Sequence, residues 1–155
     1  MLRTRAMNVT GTIEGILSGK KREVYSIPPD ATVYDAVALM ADKNVGALLV
    51  TKDGELVGII SERDYTRKVM LRGKRSRETQ VSEIMSTNLT TVEPKESVDH
   101  CLKFMTDKRI RHLPVVKEGE ICGVVSIGDL VKHVISVQSA TLDHLERYIS
   151  GGYAA

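Results

Sequence analysis

Residues 24–69 recur at 89–134. The run Gly58-Ile59-Ile60-Ser61-Glu62-Arg63-Asp64 returns as Gly123-Val124-Val125-Ser126-Ile127-Gly128-Asp129, 65 residues later. The same shift pairs Pro29 with Pro94, Val33 with Val98, Met40 with Met105, Leu48 with Leu113 and Val50 with Val115. Fourteen of these 46 positions are identical and no gap is needed, so the chain is an internal duplication. This constrains the fold strongly: both copies must adopt one plan. A unit this small cannot cover both faces of a sheet alone, so the two copies are expected to pack sheet to sheet.

The plan reads strand, helix, strand, strand, helix. Thr12 to Lys20 forms a short helix with Ile13, Ile16 and Leu17 on one face, and Glu23 to Ile27 is extended. Thr32 caps a helix carrying Val33, Ala36, Val37 and Met40 and running to about Asn44. Ala47 to Thr51 and Leu56 to Ile60 are strands joined by an Asp53-Gly54 turn, and Glu62 to Leu71 is the second helix. In the second copy Val81 to Met85 is a lead-in segment, Leu89 to Val92 a strand, and Ser97 caps a helix carrying Val98, Cys101, Leu102 and Met105. Leu113 to Val116 and Ile121 to Val125 are its hairpin, and Ile127 to Val137 its last helix. A separate final helix is expected from Thr141 to Ile149, striped by Leu142, Leu145 and Ile149. The resulting division is a lead-in at 1–11, a first copy at 12–71, a basic linker at 72–80, a second copy at 81–137, and a C-terminal helix and tail at 138–155.

Composition excludes several classes. With 42% apolar residues the 155-residue chain can bury an aliphatic core, and a net charge of +2 gives no reason to expect nucleic acid or membrane as partner. No apolar run approaches the roughly 18 residues that span a bilayer. Met1 to Gly11 has basic residues but no apolar core, so it does not read as a secretory signal. Cys101 and Cys122 sit in apolar periodic segments and read as core residues of a reducing, cytoplasmic setting. The histidines and cysteines show no metal spacing, no Gly-rich phosphate loop is present, and no catalytic set is visible.

Three features carry chemistry, each with a plain alternative. Ser61-x-x-Asp64 and Ser126-x-x-Asp129 resemble capping boxes at helix starts, which need no ligand, yet their repetition after a glycine-led strand suits a ligand site as well. Arg109, Arg111 and His112 are either a solvated strand start or a phosphate contact. The basic run through Arg63, Arg67, Lys68, Arg72, Lys74, Arg75 and Arg77 reads as a solvated face leading into the linker, with nucleic-acid binding as the alternative function. An enzyme with an unrecognised cleft site is a further alternative.

The tandem pattern Gly-apolar-apolar-Ser-x-x-Asp, each time after a strand, a turn and a helix, resembles a pair of cystathionine β-synthase (CBS) domains, a Bateman module, over about Thr12 to Ser136. The runs Gly58 to Asp64 and Arg111-His112-Leu113-Pro114-Val115-Val116 are similar to those of small stand-alone bacterial members. The resemblance implies an α+β fold of two pseudo-twofold βαββα repeats. It implies a non-catalytic regulatory sensor that binds AMP, ADP, ATP, NAD or S-adenosylmethionine in clefts between copies, acts in trans on a target protein and forms a homodimer. Carried over, Ser126, Gly128 and Asp129 would face Tyr25 and Val45-Gly46-Ala47. Ser61, Arg63 and Asp64 would face Thr90 and Ile110-Arg111-His112. Arg111-His112 stands where the first copy has Gly46-Ala47, so the two sites are expected to differ in their demand for phosphate.

Overall fold

The computed structural model describes residues 11–19 and 23–151. Most of the lead-in at 1–11 and the tail at 152–155 lie outside them. In chain order the elements are α1 (Ile13–Gly19), β1 (Ser26–Ile27), α2 (Val33–Lys43), β2 (Ala47–Lys52), β3 (Glu55–Ser61), α3 (Glu62–Tyr65), a π-helical turn (Thr66–Met70), α4 (Val81–Ile84), α5 (Val98–Lys108), β4 (His112–Lys117), β5 (Glu120–Ser126) and α6 (Ile127–Gly151). They form two compact units. One is Glu23–Thr91, and the other joins α1 to the chain from Val92 onward.

The spatial units thus divide the chain differently from the repeat. Helix α1, which opens the stretch 12–71, packs in the unit of the second copy, while α4, which opens the stretch 81–137, packs in the unit of the first. The two cores still correspond side chain by side chain. Val33, Ala36, Met40, Leu48, Val50 and Ile60 fill one; Val98, Cys101, Met105, Leu113, Val115 and Val125 fill the other. Val81 and Ile84 of α4 complete the first core, as Ile13 and Ile16 of α1 complete the second. Burying each of these aliphatic side chains stabilises its unit by about 1.5–3 kcal/mol, so each short helix is held by packing and not by its own few turns.

In unit Glu23–Thr91, β1 pairs parallel with β2, and β2 pairs antiparallel with β3. The hairpin turn holds Asp53 at φ 52° and Gly54 at φ 79°, the twist that Asp-Gly supplies. Glu118 (φ 51°) and Gly119 (φ 79°) repeat it between β4 and β5. The other unit has a two-stranded sheet, and here the expected strand Leu89 to Val92 is absent. It shrinks to a single parallel bridge, Val92 to Val115. Pro114 is the reason. At the matching place in the first copy, Leu49 N–H donates to Tyr25 O at 3.3 Å; Pro114 has no N–H to give Thr90.

Two further expectations are corrected. The second helix is not α-helical throughout: after α3 the backbone widens, and Leu71 N–H donates to Thr66 O, five residues back, at 3.0 Å. Leu71 itself ends that segment as its C-cap. The two expected C-terminal helices are one, α6. Gln138-Ser139-Ala140 contains no breaker, and Thr141 does not cap a new helix but donates its hydroxyl to Val137 O at 3.0 Å inside the existing one. The basic linker at 72–80 is exposed over most of its length and is tied to α2 at a few points. Val33 N–H donates to Thr79 O at 2.8 Å, Tyr34 N–H to Ser76 O at 3.1 Å, and Arg77 lies 3.8 Å over the Tyr34 ring.

Candidate functional site

Each unit contains one corner where a strand runs into a helix. In unit Glu23–Thr91, β3 is extended up to Ser61 (φ −123°, ψ 164°), which caps α3. Asp64 N–H donates to Ser61 Oγ at 3.2 Å, and Ser61 N–H donates back to Asp64 Oδ2 at 2.9 Å. Ser61 Oγ–H also donates to Asp64 Oδ2, at 3.1 Å. In the other unit Asp129 N–H donates to Ser126 Oγ at 3.0 Å, and Ser126 N–H to Asp129 Oδ2 at 2.8 Å. Both acids therefore close capping boxes. The sequence left open whether they would turn outward; each has one oxygen turned back onto its own strand end.

Within its own unit, each corner is bonded through the backbone to the start of the preceding strand. Ala47 pairs with Ser61, Glu62 N–H donates to Gly46 O at 3.0 Å, and Tyr25 O accepts from Leu49 one strand further on. In the second copy His112 pairs with Ser126, and Ile127 N–H donates to Arg111 O at 2.8 Å. Gly46 and Ala47 thus lie beside Ser61 and Glu62, while Tyr25 lies on the other edge of β2 from β3. Arg111 and His112 gather about Ser126, Gly128 and Asp129. Val45 and Ile110 directly follow the αL residues that end α2 and α5, and each donates its N–H to the core methionine carbonyl, Met40 O at 3.0 Å and Met105 O at 3.1 Å. Thr90 lies in the segment that Pro114 keeps from pairing. Asn44 (φ 54°) and Arg109 (φ 55°) are those αL residues, which gives Arg109 a backbone role that the sequence had not distinguished from phosphate binding.

The corners differ electrostatically. Lys68, one turn on from Asp64, reaches Asp64 Oδ1 at 3.1 Å and also donates to Ile84 O at 2.8 Å. A carboxylate offers about four lone-pair positions, and three are engaged at Asp64, whose side chain is 14% exposed. The equivalent of Lys68 is His133, and the equivalent of Arg63 is Gly128, so the Asp129 corner opens with no side chain at that position. Tyr25 donates its hydroxyl to the Glu23 carboxylate; that bond, with burial and the nearby negative charge of Glu23 and Asp42, raises its pKa. Lys43 lies 5.5 Å from its ring centre. Sequence reasoning missed Lys68 as part of the corner, although its place four residues after Asp64 was a readable signal.

Among the described residues no group of histidines, cysteines and carboxylates could hold a metal ion, and no helix is long and apolar enough to cross a membrane. A cavity of about 540 Å³ lies against α1 and the β4–β5 turn, lined by Glu14, Leu17, Lys117 and Cys122 among others; no corner residue lines it.

The CBS domain pattern matches residues 20–71 and 81–136. The chain is 49% identical over 129 residues to the mitochondrial CBS domain-containing protein CBSX3 of Arabidopsis thaliana, matching 80% of this chain but only 63% of that longer protein. It superposes on a solved protein with CBS domains from Burkholderia ambifaria with a TM-score of 0.79 at 47% identity, covering 81% of this chain and 94% of the other. The hexameric CBS-CP12 protein from bloom-forming cyanobacteria matches with a TM-score of 0.71 at 25% identity, covering 93% of this chain and 91% of that one. The CBS-domain pair of the protein MJ0100, solved with 5-methylthioadenosine and S-adenosyl-L-methionine, matches with a TM-score of 0.70 at 25% identity, covering 78% and 93%.

Proposed function

Since the chain belongs to the CBS-domain family, as a tandem pair, we propose that it is a regulatory sensor of adenosine-containing ligands. It has no catalytic step of its own in this reading and acts on a partner protein. The observation that carries it is the doubled corner. Twice a strand ends in a serine-capped helix whose first turn holds a carboxylate, beside a second strand start bonded to it through the backbone.

A helix start favours negative charge, and a carboxylate there can accept the two hydroxyls of a ribose. Asp129 and Asp64 are the ribose readers in this proposal, and Arg111 with His112 the phosphate contact. The complex of the MJ0100 pair with adenosyl compounds supports the ligand class. At the Asp129 corner, Gly128 leaves space where the first copy carries Arg63. The chain is further proposed to form a homodimer, supported by the exposed apolar side chains of α6. A reducing compartment such as the cytoplasm is supported by the free Cys101 and Cys122.

Non-denaturing mass spectrometry of the purified chain tests the class of ligand. The expected result is a mass increment matching an adenosyl compound, or one that develops on adding AMP, ATP, NAD or S-adenosylmethionine. A chain that stays unliganded with all four contradicts the proposal.

A further inference from the structure

α6 continues to Gly151, well past residue 136, where the family match ends. Along its outer side Val131, Ile135, Leu142, Leu145 and Ile149 are all exposed, Leu142 to 61% and Ile149 to 63%. With Gln138 they follow one another at alternating steps of four and three residues. That is the spacing of a coiled-coil seam, and it is separate from the face by which Ile127, Leu130 and Val134 hold α6 to its own unit.

We propose that this seam pairs antiparallel with the same seam of a second copy of the chain, centred on Ala140. The inference deepens the homodimer reading above and rests on it.

The spacing is self-complementary about that centre. An antiparallel partner sets Val131 against Ile149 of the second copy, Ile135 against Leu145 of the second copy, and Gln138 against Leu142 of the second copy. Every layer then recurs by the twofold axis, as a symmetric pair requires. The small Ser139 and Thr141 flank the axis, where the helices approach. Charge selects the direction. Lys132 flanks the seam near one end and Glu146 near the other, in positions that face each other across an antiparallel pair, so that two opposite-charge contacts form. In a parallel pair Gln138 would stack on Gln138 and Lys132 would stand about 20 Å from Glu146 of its partner, at 1.5 Å rise per residue. Ten apolar side chains, five from each helix, would leave water. That places the contact at the small end of stable interfaces.

Sedimentation of the full chain between 1 and 100 µM tests this, with circular dichroism to follow helix content. Wild type should be at least dimeric. Leu142→Glu with Leu145→Glu, both exposed, should weaken association by about 100-fold. Lys132→Glu alone should weaken it by about 10-fold by setting like charges opposite one another. Adding Glu146→Lys should then restore it to within about threefold of wild type, since antiparallel pairing brings those two positions together. Wild type that stays monomeric at 100 µM overturns both this pairing and the homodimer reading. Association untouched by the double glutamate variant overturns the pairing alone. Failure of the charge exchange to restore association overturns the antiparallel direction.

Discussion

Leu17 lies against the backbone of Gly123: a methyl group built on that glycine would stand 2.8 Å from Leu17 Cδ2. The equivalent contact in the other unit is between Gly58 and Met85, where the methyl would meet Met85 Sδ at 2.6 Å and Ser86 O at 3.1 Å. The glycine that heads each motif is therefore there for packing. It lets a side chain from a short lead-in helix lie flat on the returning strand.

The two glycines should differ in tolerance. Gly58→Ala is expected to destabilise by about 1–3 kcal/mol, because Met85 must move and Ser86 O, held in the Ile59–Ser86 bridge, yields less readily than a side chain. Gly123→Ala should cost less, since Leu17 Cδ2 is the end of a flexible side chain. Urea denaturation of both variants measures this, and Leu17→Ala should reduce the cost of Gly123→Ala without touching that of Gly58→Ala.

Arg109 should be improvable. It ends α5 in the left-handed region, φ 55°, where a side chain costs roughly 1–2 kcal/mol relative to glycine. Arg109→Gly is expected to raise the thermal midpoint, and Arg109→Asn to raise it less, matching the Asn44 that ends α2 in the same way. If Arg109 served a phosphate, both variants would instead weaken binding of AMP more than of adenosine.

Cys101 makes one unit sensitive to alkali. Burial, with a smaller effect from Glu96, pushes its thiol up from 9.0 to about 11. The unfolded chain loses that proton first as pH rises, so this thiol's contribution to folding stability is unchanged below about pH 9 and falls progressively toward pH 11. Denaturation across pH 8 to 11 should show this fall, and Cys101→Ala should flatten it. At pH 8 a maleimide should label the half-buried Cys122 and spare the native chain's Cys101.

The basic stretch should behave as structure. Arg77 stacked on Tyr34 contributes about 0.5–1 kcal/mol, so Arg77→Ala should lower stability by that order. Single-stranded and double-stranded oligonucleotides should not bind at 50 mM salt. Binding that weakens steeply with added salt would favour the nucleic-acid reading instead.

Much of this was readable from residues alone, and the exceptions have physical causes. The core positions Val33, Met40, Leu48 and Val50 and their repeats stood out because periodicity and duplication marked them twice. Which unit α1 would join did not, because nothing local in Ile13, Ile16 and Leu17 says which sheet they cover. Their equivalents Val81, Ile84 and Met85 are 68 residues on and not 65, so the repeat frame hides the correspondence. The loss of the strand at 89–92 could have been read from Pro114 once the donor role of its equivalent, Leu49, was known. At the corners, the residue types were legible and the carboxylate direction was not: an acid three residues after a serine cap can turn either way, and backbone N–H groups decide it.

The most direct test is calorimetric titration with AMP and 2′-deoxy-AMP, on wild type and on Asp129→Ala. Losing a charge at a helix start should cost about 0.3–1 kcal/mol of stability with or without ligand, so the unliganded variant should melt only slightly lower. If Asp129 reads the ribose, AMP should bind wild type, while removing either the carboxylate or the 2′-hydroxyl should weaken binding by about 10- to 100-fold. The two losses should not add, because they break the same contact. Equal binding of AMP and 2′-deoxy-AMP, with Asp129→Ala changing only the melting temperature, would contradict the account and leave the acid as a helix cap alone.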